Sequence, residues 1–225
     1  MGLGKAIFDL LLMKQQTIGL TSKKHLSNKH NLYYNLEDNN PESTINIKLV
    51  NKLKNQNFNL INIYMVSAIY DKKNDTKKDK KRILDINFNN QIKIYYYLKE
   101  KFSNFCFNII FFASFEMFKE KSKLPIYSSS KKLYLDEYYK LYNETNTTIK
   151  IFILGGILTE TYIYNTKYTN KNFLKSFLIS NVDKAASFII FNSRKGRNKI
   201  IYYPKKYYFL YNFFKFINFF KLSWR

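Results

Sequence analysis

Two short apolar runs constrain the fold of this chain more than any other feature of its sequence. The runs are NIIFFAS at residues 108–114 and IKIFIL at residues 149–154, and each has about the length of one β-strand. Because side chains alternate between the two faces of a sheet, a nearly unbroken apolar run indicates a strand covered on both faces, as in a parallel sheet. A third run, SFIIFN at residues 187–192, is predicted as another buried strand.

Amphipathic patterns lie around these runs. Helical spacing predicts an N-terminal helix at residues 5–16, a helix at 115–124 that ends before Pro125, and a helix at 128–143 with serines as N-cap candidates. Strands separated by helices predict an α/β fold, a three-layer sandwich with a mainly parallel central sheet of the flavodoxin-like type. Ligands of such sheets bind at the carboxyl ends of the strands.

Two further stretches are less regular. Residues 45–49 alternate as a strand does, and the following residues move to the helical spacing seen at Leu53, Leu60, Ile61 and Tyr64. The charge run KKNDTKKDKKR, which ends at Arg82, has no apolar anchor and predicts a solvated loop or insertion.

The charge balance is strongly basic. Lys and Arg number 38 against 16 Asp and Glu, which gives a formal net charge of +22. An AT-rich genome explains many lysines and few arginines, but it does not explain why acidic residues stay so few. The excess therefore indicates a polyanionic partner, either nucleic acid or an anionic membrane surface.

Several classes of chemistry are disfavoured by residue counts. Cys106 is the single cysteine and is predicted as a core residue, and His25 and His30 are the only histidines, so no metal site, disulfide or Ser-His-Asp triad is expected. The phosphate-binding patterns GxGxxG and GxxxxGK[ST] are absent, so no cofactor is predicted. No apolar stretch is long enough to span a bilayer, and no membrane insertion is expected.

The stretch IFILGGILTE places two of the 6 glycines, Gly155 and Gly156, directly after a predicted buried strand. Glycine adopts positive φ without steric cost and allows close approach of the backbone. The pair is therefore predicted to form a tight turn that packs against the domain close to RNA and needs either positive φ or close approach, with Thr159 starting or capping the next segment.

Taken with its neighbours, this stretch resembles the RWLGGTLTN signature of the universal small-subunit ribosomal protein two family. Leu154, Gly155, Gly156, Leu158 and Thr159 match the signature. Four other segments resemble family segments in the same order: FDLLLMKQQTIGLTSKKHLSNKHNLYY, STINIKLVNKL, NIIFFAS and SNVDKAASFIIFNSRKGRNKIIYYPKKY.

The resemblance implies a structural constituent of the small ribosomal subunit, without enzymatic activity or a small-molecule substrate. It would bind ribosomal RNA at the head–body junction of a mitochondrial ribosome, beside neighbouring small-subunit proteins, in the mitochondrial matrix or in another AT-rich organelle. It also implies one domain, 1–225, with an N-terminal helix and basic loop in 1–40 and insertions at about 71–82 and 125–145. The family's helical hairpin would be lost between residues 165 and 181.

RNA contacts are predicted in a basic loop, at the glycine turn and in SRKGRNK, where arginine in a lysine-rich chain indicates a planar phosphate donor at the start of a helix. The predicted RNA-binding residues are Lys23, Lys24, His25, Lys29, His30, Gly155, Gly156, Thr159, Arg194, Lys195, Arg197 and Lys199. Two alternatives remain open at this point: another organellar ribosomal or RNA-binding protein, and a nucleotide-type enzyme with a doubly wound sheet.

Overall fold

The computed structural model of the protein describes residues 2–13, 19–21, 31–33, 59–70, 76–119, 122, 124–159, 179–194, 196–206, 208–209 and 212. The strands are β1 (Gly19–Thr21), β2 (Asn31–Tyr33), β3 (Leu60–Met65), β4 (Cys106–Ser114), β5 (Thr147–Leu154), β6 (Ile157–Leu158), β7 (Ser180–Asn181) and β8 (Lys199–Tyr203). The α-helices are α1 (Leu3–Leu12), α2 (Lys77–Leu84), α3 (Asn90–Lys101), α4 (Pro125–Leu141) and α5 (Val182–Ser193). A π-helical segment, Asp85–Asn89, joins α2 to α3, and a 3-10 turn, Phe115–Phe118, follows β4.

The central sheet has the strand order β3-β4-β5-β8, and all of its neighbouring strands are parallel. Ser114 pairs with Leu154, and Leu154 pairs with Tyr203, so the carboxyl ends of three strands lie side by side. This confirms the predicted α/β fold with a mainly parallel central sheet and flanking helices.

Helices cover both faces of the sheet. On one face, α3 and α4 bury Tyr95 and Tyr134 against strand residues such as Phe111. On the other face, α1 and α5 bury Ile7 and Ile189 against other residues of the same strands. The alternation of side chains along β4 and β5 therefore explains why both strands are apolar along most of their length.

Several predicted elements are confirmed. Residues 108–114 lie within β4, residues 149–154 lie within β5, and most of the helix predicted at 128–143 lies within α4. The N-terminal helix runs from Leu3 to Leu12, while residues 14–16 of the prediction lie outside the described residues.

The prediction of a strand at SFIIFN is wrong, because these residues belong to α5. The Asn181 side chain caps this helix by accepting a hydrogen bond from the Asp183 amide at 2.7 Å. Ala185 and Ile189, one helical turn apart, are fully buried, while Phe191 is 63% exposed. A short apolar run cannot be assigned by periodicity alone, and the cap decides this one.

Two helix predictions are also corrected. Leu60, Ile61 and Tyr64 lie in strand β3. This strand buries Ile61 and Met65 in the core. The helix predicted at 115–124 is reduced to the single 3-10 turn Phe115–Phe118. Leu53 and residues 45–49 lie outside the described residues.

The second half of the charge run is a helix and not a loop. Thr76 and Asp79 form a capping box at the start of α2: the Asp79 amide donates to Thr76 Oγ1 at 3.3 Å, and the Thr76 amide donates to Asp79 Oδ2 at 2.9 Å. Ile83 anchors the helix in the core. The segment at 125–145, for which the ribosomal resemblance implies an insertion, contains α4 and contributes Tyr134 and Leu141 to the core.

Cys106 is exposed at the start of β4, which corrects its predicted place in the core. Among the described residues, no His, Cys, Asp and Glu side chains are grouped so that three or more could hold a metal ion. The described helices include none that is both long and apolar enough to cross a membrane. The hairpin predicted as lost falls on residues that are mostly outside the described part of the chain.

Candidate active site

The carboxyl ends of the central strands bring Ser114 to the edge where ligands of parallel sheets bind. Ser114 is the last residue of β4, and its side chain accepts a hydrogen bond from the Glu116 amide at 3.2 Å. This contact starts the 3-10 turn and holds the serine at the end of the strand. Ser114 is half-buried, so its hydroxyl can meet a ligand at this edge.

Helix α4 begins at the same edge. Pro125 occupies the first helical position. A backbone N–H at this position would have no acceptor within the helix, so proline, which lacks the N–H, is well suited to it. Tyr127 and Lys131 follow one helical turn apart and so lie on the same side of the helix. Both are buried, with 7% and 2% of their surface exposed.

The Tyr127 hydroxyl connects two other elements. It is hydrogen-bonded to the Ser114 side chain at the end of β4 and to the Tyr70 hydroxyl in the segment after β3. The ring centroids of Tyr70 and Tyr127 are 4.6 Å apart. Hydroxyl groups from a strand end, a helix and a loop thus converge at one point.

Lys131 supplies a cation beside this hydroxyl cluster. Its ammonium lies 5.7 Å from the ring centroid of Tyr127 and 5.0 Å from that of Tyr134. Such cation–π contacts offset only part of the cost of burying a charge. Burial accordingly lowers the pKa of Lys131 to about 7.

Burial acts on Tyr127 in the opposite sense, because it disfavours the phenolate. Desolvation raises the pKa of Tyr127 above its ordinary value, against the lowering effect of the hydrogen bond from Ser114. The hydroxyl is therefore protonated at neutral pH. A protonated phenol next to a titratable ammonium can donate a proton to a ligand oxygen and have the resulting charge stabilised.

Asn87 fixes the loop that carries Tyr70. It lies fully buried in the π-helical segment, where its Oδ1 accepts from the Ile69 amide at 2.7 Å and its Nδ2 donates to the Ile69 carbonyl at 2.9 Å. The same amide donates to Ser130 Oγ at 3.1 Å. Asn87 thereby ties the segment after β3 to the first turns of α4.

The glycine pair lies at the same edge but differs from its prediction. Neither Gly155 nor Gly156 has positive φ, so that reason for the glycine pair is wrong, while close approach of its backbone to a partner stays a prediction. The Gly155 amide donates to the Tyr203 carbonyl at 2.8 Å, and the Gly156 carbonyl accepts from the Ser180 amide at 2.9 Å. The pair therefore continues the backbone pairing from β5 towards β6, and the Thr159 amide donates to the Ile157 carbonyl at 2.8 Å.

The remaining predicted RNA-binding residues lie elsewhere. Arg194 and Arg197 are exposed between α5 and β8, and Lys199 is the exposed first residue of β8, at the amino edge of the sheet. The helix predicted to start there is absent from this described stretch, since α5 ends at Ser193 and strand β8 follows. The other predicted contacts lie outside the described residues: Lys23, Lys24, His25, Lys29, His30 and Lys195.

Sequence reasoning missed Ser114, Tyr127 and Lys131 as site residues. The signal was present in YSSSK, where a tyrosine and a lysine stand one helical turn apart at the start of an amphipathic pattern. The serines between them were interpreted as helix caps, but Leu124 is the N-cap residue. Ser128 Oγ donates instead to the Glu116 carbonyl at 2.9 Å, and Ser130 Oγ to the Tyr127 carbonyl at 2.7 Å.

No protein-family model and no curated protein sequence matches this chain. Solved structures do share its fold. A short chain dehydrogenase family protein from Francisella tularensis is 19% identical with a TM-score of 0.67, and the match covers 90% of this chain and 92% of that one. A 4-hydroxyisoleucine dehydrogenase mutant complexed with NADH and succinate is 15% identical with a TM-score of 0.69, covering 89% of this chain and 93% of that one. The ligand-free aldohexose dehydrogenase of Thermoplasma acidophilum is 14% identical with a TM-score of 0.66, covering 90% and 88%.

These matches correct the functional prediction. The expected ribosomal protein, with ribosomal RNA as partner and neither enzymatic activity nor a small-molecule substrate, is contradicted by the dehydrogenases that share its fold over most of the chain. Their shared fold is the doubly wound α/β fold named in the second alternative. The resemblance to the ribosomal family and the mitochondrial location stay predictions, as does RNA contact by the individual residues named above.

Proposed function

We propose that this chain is an oxidoreductase that interconverts a carbonyl and a hydroxyl group with a nicotinamide dinucleotide as hydride carrier. One observation carries the proposal: the Tyr127 hydroxyl is hydrogen-bonded to Ser114 and stands beside the buried ammonium of Lys131 at the carboxyl edge of a parallel sheet. The shared fold supports it, since a 4-hydroxyisoleucine dehydrogenase with this fold is complexed with NADH and a second similar structure, ElxO, has NADP bound.

The site fits the reacting end of such a cofactor. The buried ammonium of Lys131 lies 5.7 and 5.0 Å from the ring centroids of Tyr127 and Tyr134, and it is a donor that can form hydrogen bonds to sugar hydroxyls. The GxGxxG pattern that binds the phosphates of many such cofactors is absent from the sequence. The case for dinucleotide binding therefore depends on the residues around Tyr127 alone.

A bound reduced nicotinamide would supply a hydride to the carbonyl carbon. Ser114 would donate a hydrogen bond to the carbonyl oxygen and so orient it. Tyr127 would transfer its proton to that oxygen, which completes the hydroxyl group of the product and leaves a phenolate. The ammonium of Lys131 would stabilise this phenolate until solvent returns the proton.

The pH dependence of the two reaction directions follows from protonation of Tyr127. Because burial raises the pKa of Tyr127, its hydroxyl is a proton donor at neutral pH and not a base. This favours reduction of a carbonyl over oxidation of an alcohol near pH 7. Oxidation needs the phenolate and is expected to become faster as pH rises.

The decisive experiment measures oxidation of NADH and NADPH by the purified chain with a panel of aldehydes and ketones. Tyr127→Phe removes the proton donor but keeps the ring, so turnover is expected to fall by about 10²- to 10⁴-fold. Tyr139→Phe is the matched control, since Tyr139 lies on the same helix and is 67% exposed. It is expected to keep the wild-type rate.

Ser114→Ala and Lys131→Met separate the two supporting roles. Loss of the serine is expected to lower turnover while the dinucleotide still binds. Loss of the lysine is expected to lower turnover and to weaken binding of the dinucleotide. Activity that survives in Tyr127→Phe would contradict the proposal, as would failure of the folded wild-type chain to bind either dinucleotide.

A further inference from the structure

A second candidate site lies at the opposite, amino edge of the sheet. It is a cavity of about 330 Å³ lined by Lys150, Asn192, Gly196, Arg197, Lys199 and Ile201. Helices that connect parallel strands run antiparallel to them, so the carboxyl end of α5 and the start of β8 meet here. The cavity is distinct from the Tyr127 site.

Lys150 is the unusual member of this lining. It lies in the middle of β5 with 1% of its surface exposed, and its strand neighbour in the pairing of β5 with β8 is Lys199. Burial lowers the pKa of Lys150 to about 8, so the ammonium is still charged for the most part at pH 7. Burying a cation next to a second lysine costs free energy, and this cost must be offset by packing or by binding of a ligand.

A buried amide network holds Lys150 in place. Its Nζ donates to Asn108 Oδ1 at 2.8 Å. Asn108 Nδ2 in turn donates to Asn62 Oδ1 at 2.7 Å and to the Ser193 carbonyl at 2.9 Å. Because the nitrogen of Asn108 is committed to two acceptors, its oxygen must face the lysine, and the position of the ammonium is fixed.

The cationic side chains of this lining have no anionic counterpart in it. Among the described residues that line the cavity, none is a carboxylate, whereas Lys150, Arg197 and Lys199 all carry positive charge. The carboxyl end of α5 contributes only about half a negative charge. Its Ser193 carbonyl is already bonded to Asn108. The positive charge of the side chains therefore outweighs the helix end.

We infer that this cavity binds the phosphate group of a small molecule. The Arg197 guanidinium offers the planar pair of donors that suits phosphate oxygens, and Lys150 and Lys199 add point charges. A β-carbon placed on Gly196 would meet no heavy atom within 4 Å, so the backbone there leaves room for a ligand. Ile201 supplies an apolar wall, and the volume suits a phosphate with a small organic group.

The test is titration calorimetry of the full chain with inorganic phosphate at pH 7, with chloride holding the ionic strength constant. Saturable binding is expected for the wild-type chain. Arg197→Gln and Lys199→Gln, both at exposed positions, are each expected to weaken it by about tenfold or more. Lys184→Gln removes an exposed lysine from the other end of α5 and is expected to bind as the wild type does.

Two outcomes would overturn the inference. One is absence of saturable binding to the wild-type chain. The other is equal weakening in Lys184→Gln and Arg197→Gln, which would mean general attraction to a chain of net charge +22. Lys150→Met tests the contribution of the buried donor. If this variant does not fold, Arg197→Gln and Lys199→Gln still test whether the cavity binds phosphate. The KM for the reduced dinucleotide in Arg197→Gln should be unchanged, which separates this cavity from the Tyr127 site.

Discussion

Tyr70 and Tyr127 are hydrogen-bonded through their hydroxyl groups, with their ring centroids 4.6 Å apart. Tyr127 is 7% exposed, whereas Tyr70 is 37% exposed and lies in the segment that follows β3. The pair therefore connects the buried proton donor of the proposed reaction with solvent. Tyr70 is in a position to return a proton to Tyr127 after each turnover.

Tyr70→Phe should slow the proposed reaction, because it removes this path and one hydrogen bond to Tyr127. We expect kcat to fall by roughly tenfold with little change in KM, a smaller loss than in Tyr127→Phe. Steady-state rates across a pH series check this, and Tyr139→Phe serves as the control. A Tyr70→Phe enzyme with wild-type kcat at every pH would show that the pair only packs.

Lys131→Met should stabilise the fold while it lowers activity. The pKa of Lys131 is lowered by burial from 10.5 to about 7, so between these pH values the unfolded chain binds more protons than the folded chain. Wild-type stability from this group therefore rises with pH through that window, and the cost of the buried charge is fully present below pH 7. Methionine removes this cost, which is on the order of a few kcal/mol at pH 7.

Urea unfolding of the wild-type chain and of Lys131→Met from pH 7 to pH 10 measures the effect. The advantage of the variant should shrink as pH rises towards 10.5. Lys132→Met replaces the exposed neighbour and should show no such trend. A difference between wild type and Lys131→Met that stays constant with pH would mean that Lys131 keeps its proton in the folded protein as it does in the unfolded chain, so that burial does not lower its pKa.

The sequence predicts the sheet better than it predicts the site. The runs in β4 and β5 are long, apolar and bounded by polar residues, so burial on both faces can be inferred locally. SFIIFN is as short as IKIFIL, so the length of the run does not separate helix from strand, and only the cap at Asn181 marks it as part of a helix.

The site depends on contacts between distant segments. Tyr127 and Lys131 are one turn apart in the sequence, but Ser114 and Tyr70 reach them only because β3 and β4 pair in parallel and end at the same edge. Glycine is scarce in this sequence, which favours a special role for Gly155 and Gly156, yet neither has positive φ. Rarity of a residue type indicates genome composition as readily as it indicates function.

Asn87→Leu should destabilise the protein and reduce activity together. The change leaves the amide and carbonyl of Ile69 without the partners that they have at 2.7 and 2.9 Å. Each buried group left unpaired costs about 1–3 kcal/mol, so a total loss of roughly 2–4 kcal/mol is expected. Ile69 precedes Tyr70, and its displacement should also disturb the Tyr70–Tyr127 pair.

Chemical unfolding and turnover of the same samples check the Asn87 prediction. Asn89→Ala is the control in the same π-helical segment, because within the described part of the chain the half-buried Asn89 side chain has one hydrogen bond, to the Asp85 carboxylate at 2.8 Å. Its effect should stay below about 1 kcal/mol. If Asn87→Leu were as stable as Asn89→Ala, the Ile69 contacts would not be holding the loop.

Glu144→Gln should weaken the fold only above acidic pH. Burial by itself would raise the pKa of the Glu144 carboxyl, but hydrogen bonds from Lys99 and Tyr95 outweigh it, and the net pKa lies below 4.5. A carboxylate with a lowered pKa stabilises the folded state above its ordinary pKa and loses that contribution as pH falls through the folded value. Since both partners are partly exposed, solvent screening limits the effect to about 0.5–1 kcal/mol.

Unfolding of the wild-type chain and of Glu144→Gln should therefore differ at pH 7 and converge below pH 4. Glu100→Gln, at an exposed pair with Lys101, should match the wild type throughout. A difference for Glu144→Gln that persists at the lowest pH would assign its effect to packing and not to charge.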